Sequence, residues 1–171
     1  MAPGIDVDPL ENLAVGAVGP PGQRRFFLQA QGGGRVLTVG CEKVQVQALV
    51  DRIREALEAQ GAVPDDALPA NPSTGPSEPL EAEFDVAEVG IGFHEPTERF
   101  VIVVREGGDP ETDPDALTTV RMWATPERLR AFTAQADQVL AQGRQPCPRC
   151  GLPMDPAGHP CPMSNGVRPV F

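Results

Sequence analysis

Three strand-like segments followed by one amphipathic helix occur twice along the 171-residue chain, and this order of elements constrains the fold more than any other feature. In the first half the segments are LAVGAVG, RRFFLQAQ and RVLTVGC, at residues 13–19, 24–31 and 35–41. They are rich in β-branched, aromatic and small residues, and the PPGQ and GGG segments between them have turn composition. We interpret GGG as a hairpin turn rather than a ligand cradle, and we predict three consecutive antiparallel strands.

A helical period begins after Glu42. Apolar residues then recur every three or four positions, charged residues take the opposite face, and Gly61 ends the pattern. The spacing predicts a helix that buries one stripe against the sheet, formed by Val46, Leu49, Val50, Ile53 and Leu57.

The second half has the same order of elements. Residues 83–94, 99–106 and 117–125 have strand composition, and the chain then becomes helical as far as Gly143. Thr125 is placed to cap this second helix, because a proline, which is favoured at the first helical position, follows it directly.

These elements predict an α+β domain over residues 1–143. The economical architecture is one antiparallel sheet of about six strands, built from two strand-strand-strand-helix halves, with both helices on one face. Between the halves, residues 61–82 contain five prolines and no hydrophobic period. That composition is typical of a flexible linker or an exposed loop, since it offers little apolar surface to offset the entropy of ordering.

The net charge of −10 is concentrated in one part of the chain. Fourteen acidic and two basic side chains lie in the segment from Asp65 to Asp115, and this segment accounts for the whole imbalance. Such a field repels phosphate backbones and anionic lipid surfaces, so the bulk charge favours neither nucleic acid nor membrane as a partner. The chain also lacks a secretory signal at its start and a run of about 20 apolar residues. We therefore expect a cytoplasmic protein.

The tail, residues 144–171, contains the sequence CPRCGLPMDPAGHPC. Its Cys147, Cys150, His159 and Cys161 have the types and the paired spacing of a tetrahedral zinc site. Four protein ligands leave no open position for water, so the motif predicts a structural zinc knuckle rather than a catalytic metal.

The fourth ligand of this site stays open at the level of sequence. His159 and Cys161 are two positions apart, and in extended chain such side chains point to opposite faces. Pro160, which follows His159, favours an extended conformation there. Cys41 is the other candidate, although its place at the end of an apolar strand favours a buried and inert thiol.

Two functions agree with these patterns. The first is a non-enzymatic zinc-binding protein, an interaction or adaptor module whose partner is another protein. The alternative is a small enzyme with a pocket at the junction of the two halves, near Glu42, Lys43 and His94. A strand-to-helix junction offers free amides for an anion, and His94 has the chemistry of a general base.

Three stretches resemble the landmarks of an uncharacterised actinobacterial family, domain-of-unknown-function family 3090. They are RRFFLQAQ at residues 24–31, EKVQV at residues 42–46, and CPRCGLPMDPAGHPCPMSNG at residues 147–166. The resemblance implies a cytoplasmic, zinc-tailed protein without an assigned activity. It also implies a shared pathway with two uncharacterised proteins, one kinase-like and one similar to histidine phosphatases. The chain departs from the family pattern at Cys41 and in its final VRPVF, where a more basic end is expected.

Overall fold

A computed structural model describes residues 4–20, 22–61, 72–143, 146–152, 154, 158, 159 and 161–164. In chain order its strands and long helices are β1 (Gly4–Val7), β2 (Asn12–Val18), β3 (Arg25–Gly32), β4 (Arg35–Cys41), α1 (Lys43–Ala59), β5 (Val86–His94), β6 (Arg99–Glu106), β7 (Thr119–Ala124) and α2 (Pro126–Ala141). Six of the strands and both helices are those that the sequence predicts. The exception is β1, a four-residue strand that the hydrophobic pattern did not reveal.

The prediction of one six-stranded sheet is wrong, because the strands form two sheets. One sheet has the order β1-β7-β6-β5, and the other has the order β2-β3-β4. Strand β1 pairs in parallel with β7, whereas all other pairs are antiparallel. The chain then crosses to the second sheet, since Leu10 N–H donates to the Trp123 carbonyl and Glu11 N–H to the Gln31 carbonyl. The unpredicted strand thus pairs with β7 and forms one edge of the four-stranded sheet.

The hairpin between β3 and β4 confirms the interpretation of GGG as a turn. Gly32 pairs with Arg35, and the two residues between them, Gly33 and Gly34, have φ angles of 59° and 74°. Both angles lie in the left-handed region, which glycine enters without steric cost.

The prediction that both helices lie on one face of one sheet is also wrong. Each helix lies along an edge strand of a different sheet. From α1, Gln45 Nε2 donates to the Val86 carbonyl of β5, and Arg52 Nη1 donates to the Val89 carbonyl. From α2, the Gln135 side chain accepts from Val15 N–H of β2 at 2.8 Å and donates to the Val15 carbonyl at 2.9 Å. These side chains occupy backbone groups that an edge strand otherwise leaves unpaired.

One buried cluster of hydrophobic side chains joins both sheets and both helices. The predicted stripe of α1 is buried, and α2 contributes Leu129, Phe132 and Ala136. The start of α2 also follows the predicted chemistry, and the start of α1 has a cap of its own. Thr125 Oγ1 accepts from Arg128 N–H at the start of α2, and Glu42 N–H donates to Gln45 Oε1 at the start of α1. Periodic burial and local capping therefore account for both helices.

The segment predicted as a flexible linker is described only in part, since residues 62–71 lie outside the described chain. Residues 72–82 have no regular helix or strand, in agreement with their composition. They nevertheless run over the three-stranded sheet, where Thr74 and Ser77 bond to sheet side chains. In the described parts of the chain, no helix is long and apolar enough to cross a bilayer.

Candidate metal centre

Cys147 and Cys150 lie on a tight turn that begins after the second helix. Cys147 N–H donates to the Leu152 carbonyl at 2.8 Å, and Gly151 N–H donates to the Cys147 carbonyl at 2.9 Å. Gly151 has a φ of 75°, a backbone conformation that residues with a Cβ rarely adopt. Inside the turn, Arg149 N–H donates to Cys147 Sγ at 3.4 Å. The turn therefore fixes the sulfur of Cys147 and directs a backbone amide at it.

The second pair of ligand residues, His159 and Cys161, is buried. Gly158, just before His159, has a φ of 93°, and a short 3₁₀ turn, Pro162–Ser164, begins just after Cys161. His159 is 9% exposed and Cys161 is 1% exposed. The alternation that argued against this pair holds only for a regular strand, so both side chains can face inward here.

The structure brings Cys147, Cys150, His159 and Cys161 together. Their four ligand atoms all lie within 4.8 Å of one another. Cys147 Sγ is 3.9 Å from Cys161 Sγ, and Cys150 Sγ is 3.8 Å from His159 Nε2. Tetrahedral zinc, with bonds of about 2.3 Å to sulfur and about 2.0 Å to nitrogen, separates two sulfurs by about 3.8 Å and a sulfur from a nitrogen by about 3.5 Å. The cluster therefore already has nearly the dimensions of such a site.

The thiols in this cluster differ in acidity. Burial raises the pKa of Cys147, but hydrogen bonds from Cys150 N–H, His159 and Arg149 N–H lower it more, and the pKa falls from 9.0 to about 6. The pKa of Cys150 is raised, mainly by burial and also by the neighbouring sulfurs of Cys147 and Cys161. The group thus favours one thiolate near neutral pH, and a cation would be needed to hold several thiolates together.

Cys41 does not join this cluster. It ends β4, and burial together with the charge of Asp85 raises its pKa to about 12. Such a thiol stays protonated at neutral pH, whereas a metal ligand must be a thiolate. Of the two candidates for the fourth ligand, the structure places His159, not Cys41, beside the other three cysteines.

The residues of the alternative enzyme site are not brought together. Glu42 caps α1. Lys43 extends towards the end of α2, where its Nζ lies 2.6 Å from the place that a Cβ on Gly143 would take. A cation is favoured near the carbonyl groups at the end of a helix, and Lys43 lies at such a position.

His94 lies at the far end of β5 from Glu42 and Lys43. The start of α1 contacts the first residue of β5 through Gln45, and His94 is the last of the nine residues of that strand. At a rise of about 3.3 Å per residue, the first and last residues of this strand are about 26 Å apart. His94 is exposed, bonds through Nδ1 to Thr97 Oγ1 at 2.8 Å, and packs edge-on against Trp123. A common pocket for these three residues is therefore a wrong prediction.

A groove does exist between α1 and β5, with a volume of about 470 Å³. Its walls are Val44, Gln45, Ala48, Leu49, Arg52, Ala87, Glu88 and Val89. Neither Glu42, Lys43 nor His94 lines it, and Gln45 and Arg52 already bond to backbone carbonyls of β5. The groove therefore lacks a free pair of groups for acid–base chemistry.

Sequence analysis missed two buried amide side chains, Asn12 in β2 and Gln29 in β3. Each bonds both backbone groups of one residue in the segment 72–82 that crosses the sheet. A polar residue within an otherwise apolar strand is the signal that could have identified them. Burial of an amide is costly unless it is fully hydrogen-bonded.

No curated protein and no solved structure matches the chain. The sequence does match the model of a family described as a protein of unknown function, DUF3090, over residues 6–161. This match includes all four residues of the metal cluster and extends over most of the chain. The protein therefore belongs to the DUF3090 family.

Proposed function

We propose that the Cys147, Cys150, His159 and Cys161 cluster binds one zinc ion in a structural site, and that the protein is a non-enzymatic interaction or adaptor module of the cytoplasm. The convergence of four ligand atoms within 4.8 Å carries this proposal. Three sulfurs and one imidazole nitrogen suit zinc, and they do not suit the hard cations magnesium and calcium.

The donor set also supports a structural role for the metal. Four protein ligands complete a tetrahedron and leave no position for water or substrate. Bonds to zinc would link the Cys147–Cys150 turn to His159 and Cys161, which lie outside the strands and long helices of the described chain. Such a cross-link holds a small loop in one conformation, and most of its free energy becomes folding free energy of that loop.

Metal analysis of the purified chain tests the first part of this proposal. We expect one equivalent of zinc per chain, and after exchange with Co²⁺ we expect the visible absorption bands of a tetrahedral thiolate site. Cys150→Ser should lower the metal content to below one tenth of an equivalent. Cys41→Ser is the matched control, since it removes the cysteine outside the cluster, and it should keep the full equivalent. Equal metal content in both variants would refute the site.

Two apolar side chains on the metal-linked segments support a contact surface for another protein. Leu152 is 50% exposed and Met163 is 70% exposed. Leu152 follows the cysteine turn, and Met163 lies in the 3₁₀ turn after Cys161. Exposed large apolar residues on a rigid loop are typical of protein interfaces, where they become buried.

Quantitative affinity capture from the native cell extract tests this second part. We expect a partner that the native chain enriches and that the double variant Leu152→Ser/Met163→Ser loses by at least tenfold. Val44→Ser is the control, because Val44 is 67% exposed and lies on α1. The same set of captured proteins for the native chain and both variants would contradict a contact surface on the tail.

A further inference from the structure

The three-stranded sheet holds a proline-rich segment of the chain through backbone contacts. This segment, residues 72–80 with the sequence PSTGPSEPL, is called the strap below. It crosses the sheet face that points away from the hydrophobic core, called the amide face here. The amide face comprises Asn12 and Gly16 of β2, Gln29 of β3 and Thr38 of β4.

Two amide side chains of this face form hydrogen bonds with the backbone of the strap. Asn12 Nδ2 donates to the Thr74 carbonyl, and Thr74 N–H donates to Asn12 Oδ1, both at 3.1 Å. Gln29 Nε2 donates to the Ser77 carbonyl at 3.0 Å, and Ser77 N–H donates to Gln29 Oε1 at 2.8 Å. These bonds use groups that every non-proline residue carries, so they do not depend on the identity of the strap side chains.

The amide group of Gln29, at the centre of this face, is held by neighbouring side chains of the sheet as well as by the strap. Gln29 is 1% exposed, its Nε2 also donates to Thr38 Oγ1, and its Oε1 also accepts from Gln31 Nε2. A side chain fixed by its neighbours loses little conformational entropy on binding. Such fixed amides are characteristic of a face that is built to bind extended chain.

Shape and spacing agree with this assignment. Gly16 leaves space that the strap fills, since a Cβ at this position would lie 2.9 Å from Pro76 Cγ and 3.0 Å from Leu80 Cδ1. Thr74, Ser77 and Leu80, which contact the face, are separated by three residues each. Contacts with the face therefore recur at every third residue of the strap.

We propose that the amide face is a peptide-binding groove, which the strap fills in cis and which a proline-rich segment of another protein enters in trans when the strap is released. The occupant is defined by its chemistry: an extended peptide with a proline between two residues whose N–H and C=O groups are free, three positions apart. A tethered strap competes at a high effective concentration, so the native chain binds such a peptide weakly.

Peptide titration tests this proposal. A fluorescent peptide of residues 72–80 is titrated into the native chain and into the variant Thr74→Pro/Ser77→Pro, whose strap lacks both N–H donors. We expect the peptide to bind the variant at least tenfold more tightly than the native chain. Adding Gln29→Leu should remove that binding, as should a control peptide with proline at the positions of Thr74 and Ser77. Equal and weak binding to the native chain and the strap variant would overturn the proposal.

A second measurement covers the case in which the strap variant does not fold. Hydrogen exchange of the native chain should show the amides of Thr74 and Ser77 opening at least 100-fold more often than those of Leu28 in β3. Exchange of all three at one rate would mean that the strap leaves only on global unfolding, and this would overturn the proposal. A native dimer that Gln29→Leu dissociates would also overturn it, because the occupant would then be the strap of a second copy.

Discussion

The body of the protein, from β1 to α2, and its tail, residues 144–171, are held together by different means. In the body, buried leucine, valine, isoleucine and phenylalanine side chains from both sheets and both helices form one cluster. In the described part of the tail, the buried side chains are Cys147, His159 and Cys161. The body therefore has a hydrophobic core, whereas the buried residues of the tail are themselves the candidate ligands. The comparison implies that metal removal should disorder the tail and leave the body folded.

The largest expected effect is that of metal removal on the tail. Structural zinc sites have apparent binding free energies of about 10–16 kcal/mol, which is more than a short loop can gain from its other contacts. We expect a chelator, or Cys147→Ser together with Cys161→Ser, to abolish amide protection at Gly151. The melting temperature of the body should change by less than about 4 °C, which corresponds to at most about 1 kcal/mol.

Hydrogen exchange followed by mass spectrometry, with a thermal melt of the same samples, measures both quantities. Cys41→Ser should leave tail protection intact, because Cys41 lies outside the cluster. Unfolding of the body on chelation would show that the two regions form one cooperative unit, and the comparison would then fail.

The second largest effect is expected from a cavity in the core of the body, which perturbs the body and leaves the tail unchanged. Phe132 of α2 is fully buried, so Phe132→Ala should lower the free energy of unfolding by about 3–5 kcal/mol. Denaturant unfolding measures this loss, and Val44→Ala, at a side chain that is 67% exposed, is the control. The zinc content per folded chain should stay at the native value. Loss of zinc in the Phe132 variant under native conditions would mean that the tail depends on the core.

The same division explains how much of the fold the sequence predicts. Six strands and both helices follow from local periods, as in the stripe from Val46 to Leu57 or the capped start at Thr125. The partition into two sheets does not, because it depends on contacts between residues far apart in the chain. Gly4 pairs with Thr119, and Gln135 occupies the edge at Val15. A four-residue strand such as GIDV has too few positions to display an alternation.

In the tail, residue type predicted more than backbone reasoning did. Cysteine spacing identified all four members of the cluster, whereas the alternation rule cast doubt on His159. That doubt fails because the ligand atoms of His159 and Cys161 both lie in the cluster, and the alternation rule holds only for regular extended chain. For the enzyme alternative, chemistry alone grouped Glu42 with His94, and only the length of β5 shows that they lie far apart.

A smaller effect concerns the contact of α2 with the edge of β2. Gln135→Leu removes the partners of Val15 N–H and Val15 C=O, and an unpaired backbone group costs about 1–3 kcal/mol when it is buried. Because Gln135 is partly exposed, water can replace its side chain in part, and we expect a loss of about 1 kcal/mol in the free energy of unfolding. Denaturant unfolding measures it, and Gln138→Leu, on an exposed position of α2, is the matched control. Equal stability of the two variants would show that the edge needs no partner from α2.

The smallest effect is a pH dependence that arises from one carboxyl group of the body. Glu106, the last residue of β6, accepts from Thr118 N–H at 2.8 Å, and this bond holds the pKa of its carboxyl below the usual 4.5. A lowered native pKa means that the unfolded chain binds the proton more readily. The contribution of Glu106 to stability is therefore fully present above pH 4.5 and is lost as the pH falls through its native pKa.

Glu106→Gln should remove this part of the pH dependence, so that its stability differs from that of the native chain more at pH 6 than at pH 3. Because Glu106 is partly exposed, solvent screening keeps the difference below those of the Phe132 and Gln135 variants. Urea unfolding at the two pH values measures it, with Glu111→Gln, in the exposed acidic loop, as the control for loss of one charge. A constant difference across this range would show that the bond to Thr118 does not favour the ionised carboxylate. The loss of stability of the body at low pH would then have to come from other carboxylates, such as Asp6. Hydrogen bonds from the side chains of Arg121 and Trp123 lower the pKa of Asp6.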